Sequence, residues 1–313
     1  MEKLKGFQSY PSIEAINYIN QLDTLNLHTD ALLTHQKHPR GFKLIKDYML
    51  RDYPEAHNDF DYLYLSQLTQ AKGMTLGIEA HRRSRPYNMG TLYWQLNDCW
   101  PVISWSGIDS FGNWKALHYK TKRSFENLLI SPTLEENEVI TYIVNDNLQS
   151  HTDTLFQKII DFKGKELWSW KQSVSAEANS SNKVNLFSLE EMVINPSESM
   201  LISSFKGKTS YFYFEKPKDL YLPEIEVYMT SIEKIKGGYN ISVSSDFLLK
   251  DVFLTSTTKG KFSDNFFDVL PNDKKVIFFE TESTEMPEIK VTTLNTVSRA
   301  DQNRKQSYKT DSK

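Results

Sequence analysis

Residues 90–101 read Gly-Thr-Leu-Tyr-Trp-Gln-Leu-Asn-Asp-Cys-Trp-Pro. Within this stretch Trp94, Asn97, Asp98 and Trp100 gather behind a short apolar run, alongside Tyr93 and Gln95. Flat aromatic faces beside amides and a carboxylate suit a pyranose ring: its C–H face stacks on indole, and its hydroxyls need paired donors and acceptors. Trp94 reads as the platform beneath a sugar, or else as core. Asn97 and Asp98 either bond sugar hydroxyls or cap the loop. Trp100 offers a second aromatic face or packs under Pro101. Gln8 and Ser9 read as turn-shaping, and Trp105 and Trp114 as packing residues.

The 313 residues carry a formal charge of −3, and 39% are hydrophobic, which allows two or three domains with real cores. Lys+Arg 37 against Asp+Glu 40 leaves no basic footprint for nucleic acid. No apolar run is long enough to span a bilayer, and Met1 to Lys5 lacks the apolar segment of a secretory signal. Cys99 is the single cysteine, so no intrachain disulfide can form and the compartment stays open. The seven histidines are scattered, and His35 with His38 reads as loop or helix surface rather than as a metal site. No metal or organic cofactor is expected.

The elements that must position these groups change character along the chain. Residues 1–131 read mainly helical. Ser12 caps a helix from Ile13, and another runs from Asn58 to Arg85 with Phe60, Leu63, Tyr64, Leu68, Ala71, Leu76 and Ile78 at helical spacing. Arg82, Arg83 and Arg85 read as a solvated cationic helix end. Met89 to Gln95 is strand-like, and Trp114 to Leu129 returns to helical spacing. After Pro132 the period shortens. Strands at 139–144, 154–162, 166–170, 183–189, 200–205 and 210–214, with turns such as Lys163-Gly164-Lys165, predict an antiparallel β-sandwich over 132–222. A proline-bracketed linker at 216–223 leads to a second β set over 223–297. The polar run 298–313 reads as a disordered tail.

A helix, a strand ending in polar and aromatic groups, a long loop and another helix make one βα unit. In a (β/α)₈ barrel the chemistry sits at the C-terminal ends of strands. A whole barrel needs about 250 residues, so residues 1–131 are expected to be its C-terminal part. The fold class expected is therefore multidomain α/β plus all-β: a (β/α)₈ remnant followed by two Ig-like β-sandwiches.

At this point specific segments carry a resemblance. Gly6-Phe7-Gln8-Ser9-Tyr10-Pro11, Arg82-Arg83-Ser84-Arg85, Gly90 to Pro101, Trp114-Lys115-Ala116-Leu117-His118-Tyr119 and Gly260-Lys261-Phe262-Ser263-Asp264-Asn265 resemble the C-terminal part of glycoside hydrolase family 2 β-mannosidases, over roughly residues 6–297. The resemblance implies retaining hydrolysis of terminal β-linked mannose by two glutamates about 5–5.5 Å apart. The family's nucleophile lies in a Ser-Glu-aromatic-Gly pattern, which aligning Gly6 would put at Leu4, between Lys3 and Lys5. Glu2 is two residues too early, about 7 Å along a strand. The match stops between Lys5 and Gly6, as a truncated or misplaced start would make it. The chain is therefore expected to lack both catalytic carboxylates and to be inactive alone, with a mannose-containing oligosaccharide as its ligand. Two rivals stand beside that reading: a non-catalytic carbohydrate-binding or accessory module, and a fragment that complements a separately encoded N-terminal part. Any export signal of the parent enzyme would lie outside these residues.

Overall fold

The computed structural model describes residues 2–4, 6–225 and 228–298, and the expected tail lies outside them apart from Ser298, which is buried. The helices with described bounds are α1 (Ile13–Asn20), α2 (Asp30–Thr34), α3 (Gly41–Asp52), α4 (Asp59–Arg83) and α5 (Ala116–Ser124), and residues 294–298 are helical as well. None is long and apolar enough to cross a membrane. Caps fall where short polar side chains precede an apolar run. The Ser12 hydroxyl accepts from Ala15 N at 3.2 Å, and Asn58 Oδ1 accepts from Asp61 N at 2.9 Å. The chain resolves into two compact units, each built from separate stretches, and α4 and α5 contribute residues to both.

The first unit comprises Met1–Gly6, Lys72–Trp94 and Lys120–Tyr221. In it β1 (Glu2–Leu4) runs parallel to β2 (Thr91–Tyr93) as a two-stranded sheet. No other parallel pair of strands occurs among the described residues, so a barrel is not evident. Seven antiparallel strands form a sandwich: β3 (Leu128–Glu135), β4 (Glu138–Asn145), β5 (His151–Asp161), β6 (Glu166–Ala176), β7 (Ser180–Ser188), β8 (Ser199–Phe205) and β9 (Lys208–Tyr213), in sheets β3-β4-β7 and β6-β5-β8-β9. Leu128, Ile130, Ile143, Leu155 and Phe205 fill one part of the core, and Val139, Ile159, Phe187 and Leu201 another. An amide bridges the layers. Buried Gln157 on β5 donates to Thr141 Oγ1 on β4 and to Ser203 Oγ on β8, each at 2.9 Å, while its Oε1 accepts from Asn185 Nδ2 on β7 at 2.6 Å. Every polar atom of that amide is engaged, which is what makes its burial tolerable.

Two expectations fail in this unit. Helical spacing after Trp114 ends at Ser124, and residues from Leu128 onward form β3 instead. Pro132 sits within β3 because that strand is an edge, where a missing N–H costs no ladder bond. Nor is the arginine cluster a solvated helix end. Arg82 is 7% exposed, and its guanidinium donates to the carbonyls of Ser124 and Glu126 and to Asp146 Oδ2. Arg85 pairs with the same carboxylate at 3.0 Å, and Arg83 donates to Ser131 Oγ at 2.7 Å. That hydroxyl in turn donates to Glu79 Oε2 at 2.8 Å, and burial raises the Glu79 pKa. The cluster therefore staples the end of α4 to the sandwich.

The second unit comprises Phe7–Ala71, Gln95–Tyr119 and Leu222–Lys313. A helical core of Tyr10, Ile16, Ile19, Leu27, Leu32, Ile45, Leu63 and Ile103 occupies one part. The other part is a second sandwich, with β10 (Tyr228–Ile235), β11 (Gly238–Ser245), β15 (Asp273–Glu280) and β13 (Lys261–Phe262) in one sheet. Strands β14 (Phe267–Val269), β12 (Leu249–Ser256) and β16 (Ile289–Thr292) form its partner. The two parts meet through aromatics. Phe253 stacks on Phe266 at 4.5 Å and lies 5.9 Å from Tyr64, whose hydroxyl donates to Asp251 O at 2.6 Å. The Asn265 side-chain amide exchanges two hydrogen bonds with the Leu254 backbone, at 2.8 and 2.9 Å, as a neighbouring strand would. Gly260 is required by close approach, since a Cβ there would lie 2.5 Å from Glu280 O.

Candidate functional site

In the first unit Trp94 follows β2 directly and is 52% exposed. Tyr87, Met89 and Leu92 on the same segment are also exposed, and His81 Nδ1 hydrogen-bonds Thr91 Oγ1 at 3.0 Å. This is an apolar strip with a broad indole at its end, the type of surface on which a sugar C–H face stacks.

The other expected contacts lie in the second unit, on the loop 95–115. Its backbone is closed by short-range pairing: Ile108 N donates to Leu96 O at 2.9 Å, Asp98 N to Ile108 O at 3.0 Å, and Lys115 N to Gly107 O at 2.9 Å. Asn97 is exposed, and its Nδ2 donates to Asp98 O at 3.3 Å. Trp100 is 40% exposed. Its ring rests against His35 at 5.2 Å, with Lys37 Nζ 6.0 Å above it, and His35 Nδ1 donates to Pro101 O at 2.6 Å. His35 thus holds the loop. No group of three or more His, Cys, Asp or Glu that could take a metal occurs among the described residues.

Asp98 sits differently from its neighbours. It is 4% exposed, and its Oδ2 accepts from Ser104 Oγ at 2.6 Å and Ser106 Oγ at 2.5 Å while Oδ1 accepts from Gln95 Nε2 at 2.9 Å. Of the two readings the sequence left open for it, this geometry is that of a loop anchor. Asp109 anchors the other end: it accepts from the backbone N–H groups of Phe111, Asn113 and Ser12 at 2.9–3.1 Å.

Between these carboxylates lies a residue that sequence reasoning treated only as part of a motif. Lys115 is fully buried. Burial pushes its pKa down to about 8, against the opposing pull of Asp98 and Asp109. Its Nζ donates to Ser9 O at 3.5 Å. Ser9 Oγ donates to Gln70 Oε1 at 2.7 Å, and Gln70 Nε2 donates to Phe7 O at 2.9 Å and Ser106 O at 3.2 Å. Gln8 Nε2 donates to Gln36 Oε1 at 2.8 Å. A polar floor of Ser9, Gln70, Asp98, Ser104, Ser106 and Lys115 therefore underlies the loop that displays Asn97 and Trp100. A lysine next to Ala116 and Leu117, both wholly buried, was the available signal.

Residues 137–219 match a family described as a Mannosidase Ig/CBM-like domain, and residues 220–297 one described as an Ig-fold domain of mannosidases. The crystal structure of β-D-mannosidase from Dictyoglomus thermophilum superposes with a TM-score of 0.81 at 25% identity, covering 94% of this chain and 37% of that one. Mouse β-mannosidase is 26% identical over 91% of this chain. The chain is similar to β-mannosidases along nine-tenths of its length. It spans about a third of the length of the curated relatives it matches, 35% of the mouse protein. The β-mannosidase A of Aspergillus oryzae is 24% identical over 88% of the chain. An exo-chitosanase from Amycolatopsis orientalis, 13% identical with a TM-score of 0.64, shares the fold.

Proposed function

We propose that these residues form the sugar-positioning side of a β-mannosidase site and do not by themselves cleave a glycosidic bond. The observations that carry this are the exposure of one indole in each unit, Trp94 in the first and Trp100 in the second, and the burial of Asp98 on the same loop as Trp100. Trp94 and Trp100 are 52% and 40% exposed, and Asp98 is 4% exposed with three donors on it. Trp94 supplies the stacking face beneath a mannose, Asn97 a hydroxyl contact, and Trp100 a second apolar edge. Asp98 works one step removed, by fixing the loop. Asp98 and Asp109 are both buried and hold the loop through the hydrogen bonds they accept, and this reading gives neither a catalytic part. Retaining hydrolysis needs two carboxyl groups facing the scissile bond, and in this reading both come from outside these 313 residues. No metal or organic cofactor enters the reaction. Residues 1–131 are the C-terminal part of a (β/α)₈ barrel, and 132–222 and 223–297 are the two Ig-like domains. The parallel pairing of β1 with β2 supports the barrel assignment.

The test is a two-part assay on the purified chain: hydrolysis of an aryl β-mannoside, and calorimetric titration with β-mannobiose. The expected result is no turnover above blank with saturable heat at millimolar ligand. Turnover by clean protein sinks the non-catalytic half, and the absence of heat sinks the sugar-positioning half.

A second reading draws on the two-stranded sheet. With only β1 and β2 in it, both outer edges lack strand partners among the described residues, and Tyr87, Met89 and Leu92 lie exposed alongside. Such an edge recruits further strands. The chain would then complement a separately supplied N-terminal part of the enzyme. Co-expression with such a part followed by size exclusion tests it, and separate elution removes it.

A further inference from the structure

The first sandwich carries a cleft remote in sequence from the Trp94–Trp100 segment. It is an open hollow with a volume of about 440 Å³, where the end of β5, the start of β6 and the start of β8 meet the segment 193–198. Its lining has two characters. Leu167, Val193 and Ile194 form an apolar ledge, and Val193 is 100% exposed, an outward placement that no packing within the sandwich explains. The rest of the lining is polar: Asp161, Asn195, Glu198 and Ser199.

The hydrogen bonds already made indicate which atoms face the hollow. Asp161 Oδ1 accepts from the turn amides Lys163 N and Lys165 N, at 2.9 and 2.8 Å, which fixes the carboxylate and leaves Oδ2 uncommitted among the described residues. Asn195 Oδ1 accepts from Ser197 N at 3.1 Å, so its Nδ2 is the available donor. Ser199 Oγ donates to Asn195 O at 2.7 Å and holds the segment down. The Glu198 side chain is exposed, and its backbone is pinned by Phe162 N donating to Glu198 O at 3.0 Å. One carboxylate held in place (Asp161), an exposed second one (Glu198), one amide donor and no cationic side chain make up the polar side. Such a lining selects a ligand rich in donors and positively charged, and the apolar ledge selects one with an apolar face.

We propose that this cleft binds a hexopyranose bearing a protonated amine. The ammonium sits between Asp161 and Glu198, a ring hydroxyl accepts from Asn195 Nδ2, and the C–H face of the ring covers Val193 and Leu167. The sugar half of the assignment rests on the glycan reading of the chain given above; the preference for a cation rests on the cleft alone.

Titration by calorimetry or saturation-transfer NMR at about pH 6 with glucosamine, mannose and cyclohexylamine separates these halves. The expected result is millimolar binding of glucosamine, with mannose and cyclohexylamine each at least about fivefold weaker, and weakening by added salt. Glu198→Ala is expected to weaken glucosamine about five- to tenfold, and Val193→Ser less. Both side chains are exposed, so the fold is not at risk. In a variant carrying Trp94→Ala and Trp100→Ala, the part of glucosamine binding that Glu198→Ala weakens is expected to persist. Absent glucosamine binding, indifference to Glu198→Ala, or loss of binding in the double tryptophan variant overturns the site. Equal binding of cyclohexylamine overturns its sugar character, and equal binding of mannose its cation preference. A failure of mannobiose to bind the intact chain would count against the Trp94–Trp100 reading alone.

Discussion

Replacing Lys115 by Met probes the polar floor most sharply, because it removes a charge and leaves a side chain of similar length. A lysine pushed from 10.5 to about 8 costs the folded state about 3 kcal/mol wherever both states are protonated. Below about pH 8 folded and unfolded chains both hold the proton, and that cost is present in full. Between about pH 8 and 10.5 the unfolded chain keeps a proton the folded chain has released, so stability rises with pH. Above that window neither state is charged and the cost has vanished. The buried tyrosines Tyr53 and Tyr64, whose pKa values burial raises, lower stability as pH climbs past 10. They do so equally in both proteins and drop out of the difference. Urea denaturation of wild type and Lys115→Met from pH 7.5 to 10.5 is the assay. The gap between the two curves should move by about 3 kcal/mol in favour of wild type across that range. At pH 7.5 the variant loses its partners Asp98 and Asp109, so its absolute stability is not the readout; the slope is. Parallel curves would refute a buried, depressed Lys115.

Asp98→Ala removes the acceptor of the buried hydroxyls of Ser104 and Ser106 and one of the two acceptors of Gln95 Nε2; it should destabilise by about 3 kcal/mol in urea denaturation and weaken mannobiose without any direct contact to it. Gln157→Leu breaks the clasp between Thr141, Ser203 and Asn185 and should cost about 2 kcal/mol, read as a lowered melting temperature. Arg82→Ala leaves Asp146 with Arg85 alone and orphans two carbonyls; a loss of about 3 kcal/mol is expected, and a change under about 1 kcal/mol would mean the staple is ornamental. Gly260→Ala puts a Cβ 2.5 Å from Glu280 O and should reduce soluble yield, with Gly112→Ala, which meets nothing within 4 Å but has φ +84°, as the milder comparison.

What could be read in advance followed from short-range physics. Strands β4 to β9 are short runs rich in apolar and β-branched residues between turn signals such as Lys163-Gly164-Lys165, so the first sandwich was visible. Ser12 and Asn58 announced helix starts because their side chains do the capping locally. The errors came where tertiary partners decide. Nothing local to Arg82 reveals that Asp146 lies 64 positions away. Nothing in Leu128-Leu129-Ile130 distinguishes the last turn of a helix from an edge strand, because neighbouring apolar residues fit both periods. The same limit applies at the candidate site. Trp94 and Trp100 stood out by type, whereas the burial of Asp98 depends on Ser104 and Ser106 folding back over it. Lys115 was hidden inside a motif because a lysine is expected outside, and only the carboxylates on both sides of it make its burial intelligible.

The account stands or falls on whether exposed indole binds mannose. Isothermal titration of the intact chain with β-mannobiose, run beside Trp94→Ala, tests this directly. Saturable millimolar binding by wild type is expected, with a loss of up to about tenfold on removing that one side chain, in keeping with a stacking contact of about 0.5–1.5 kcal/mol. Equal heats from both proteins, or none from either, would contradict it.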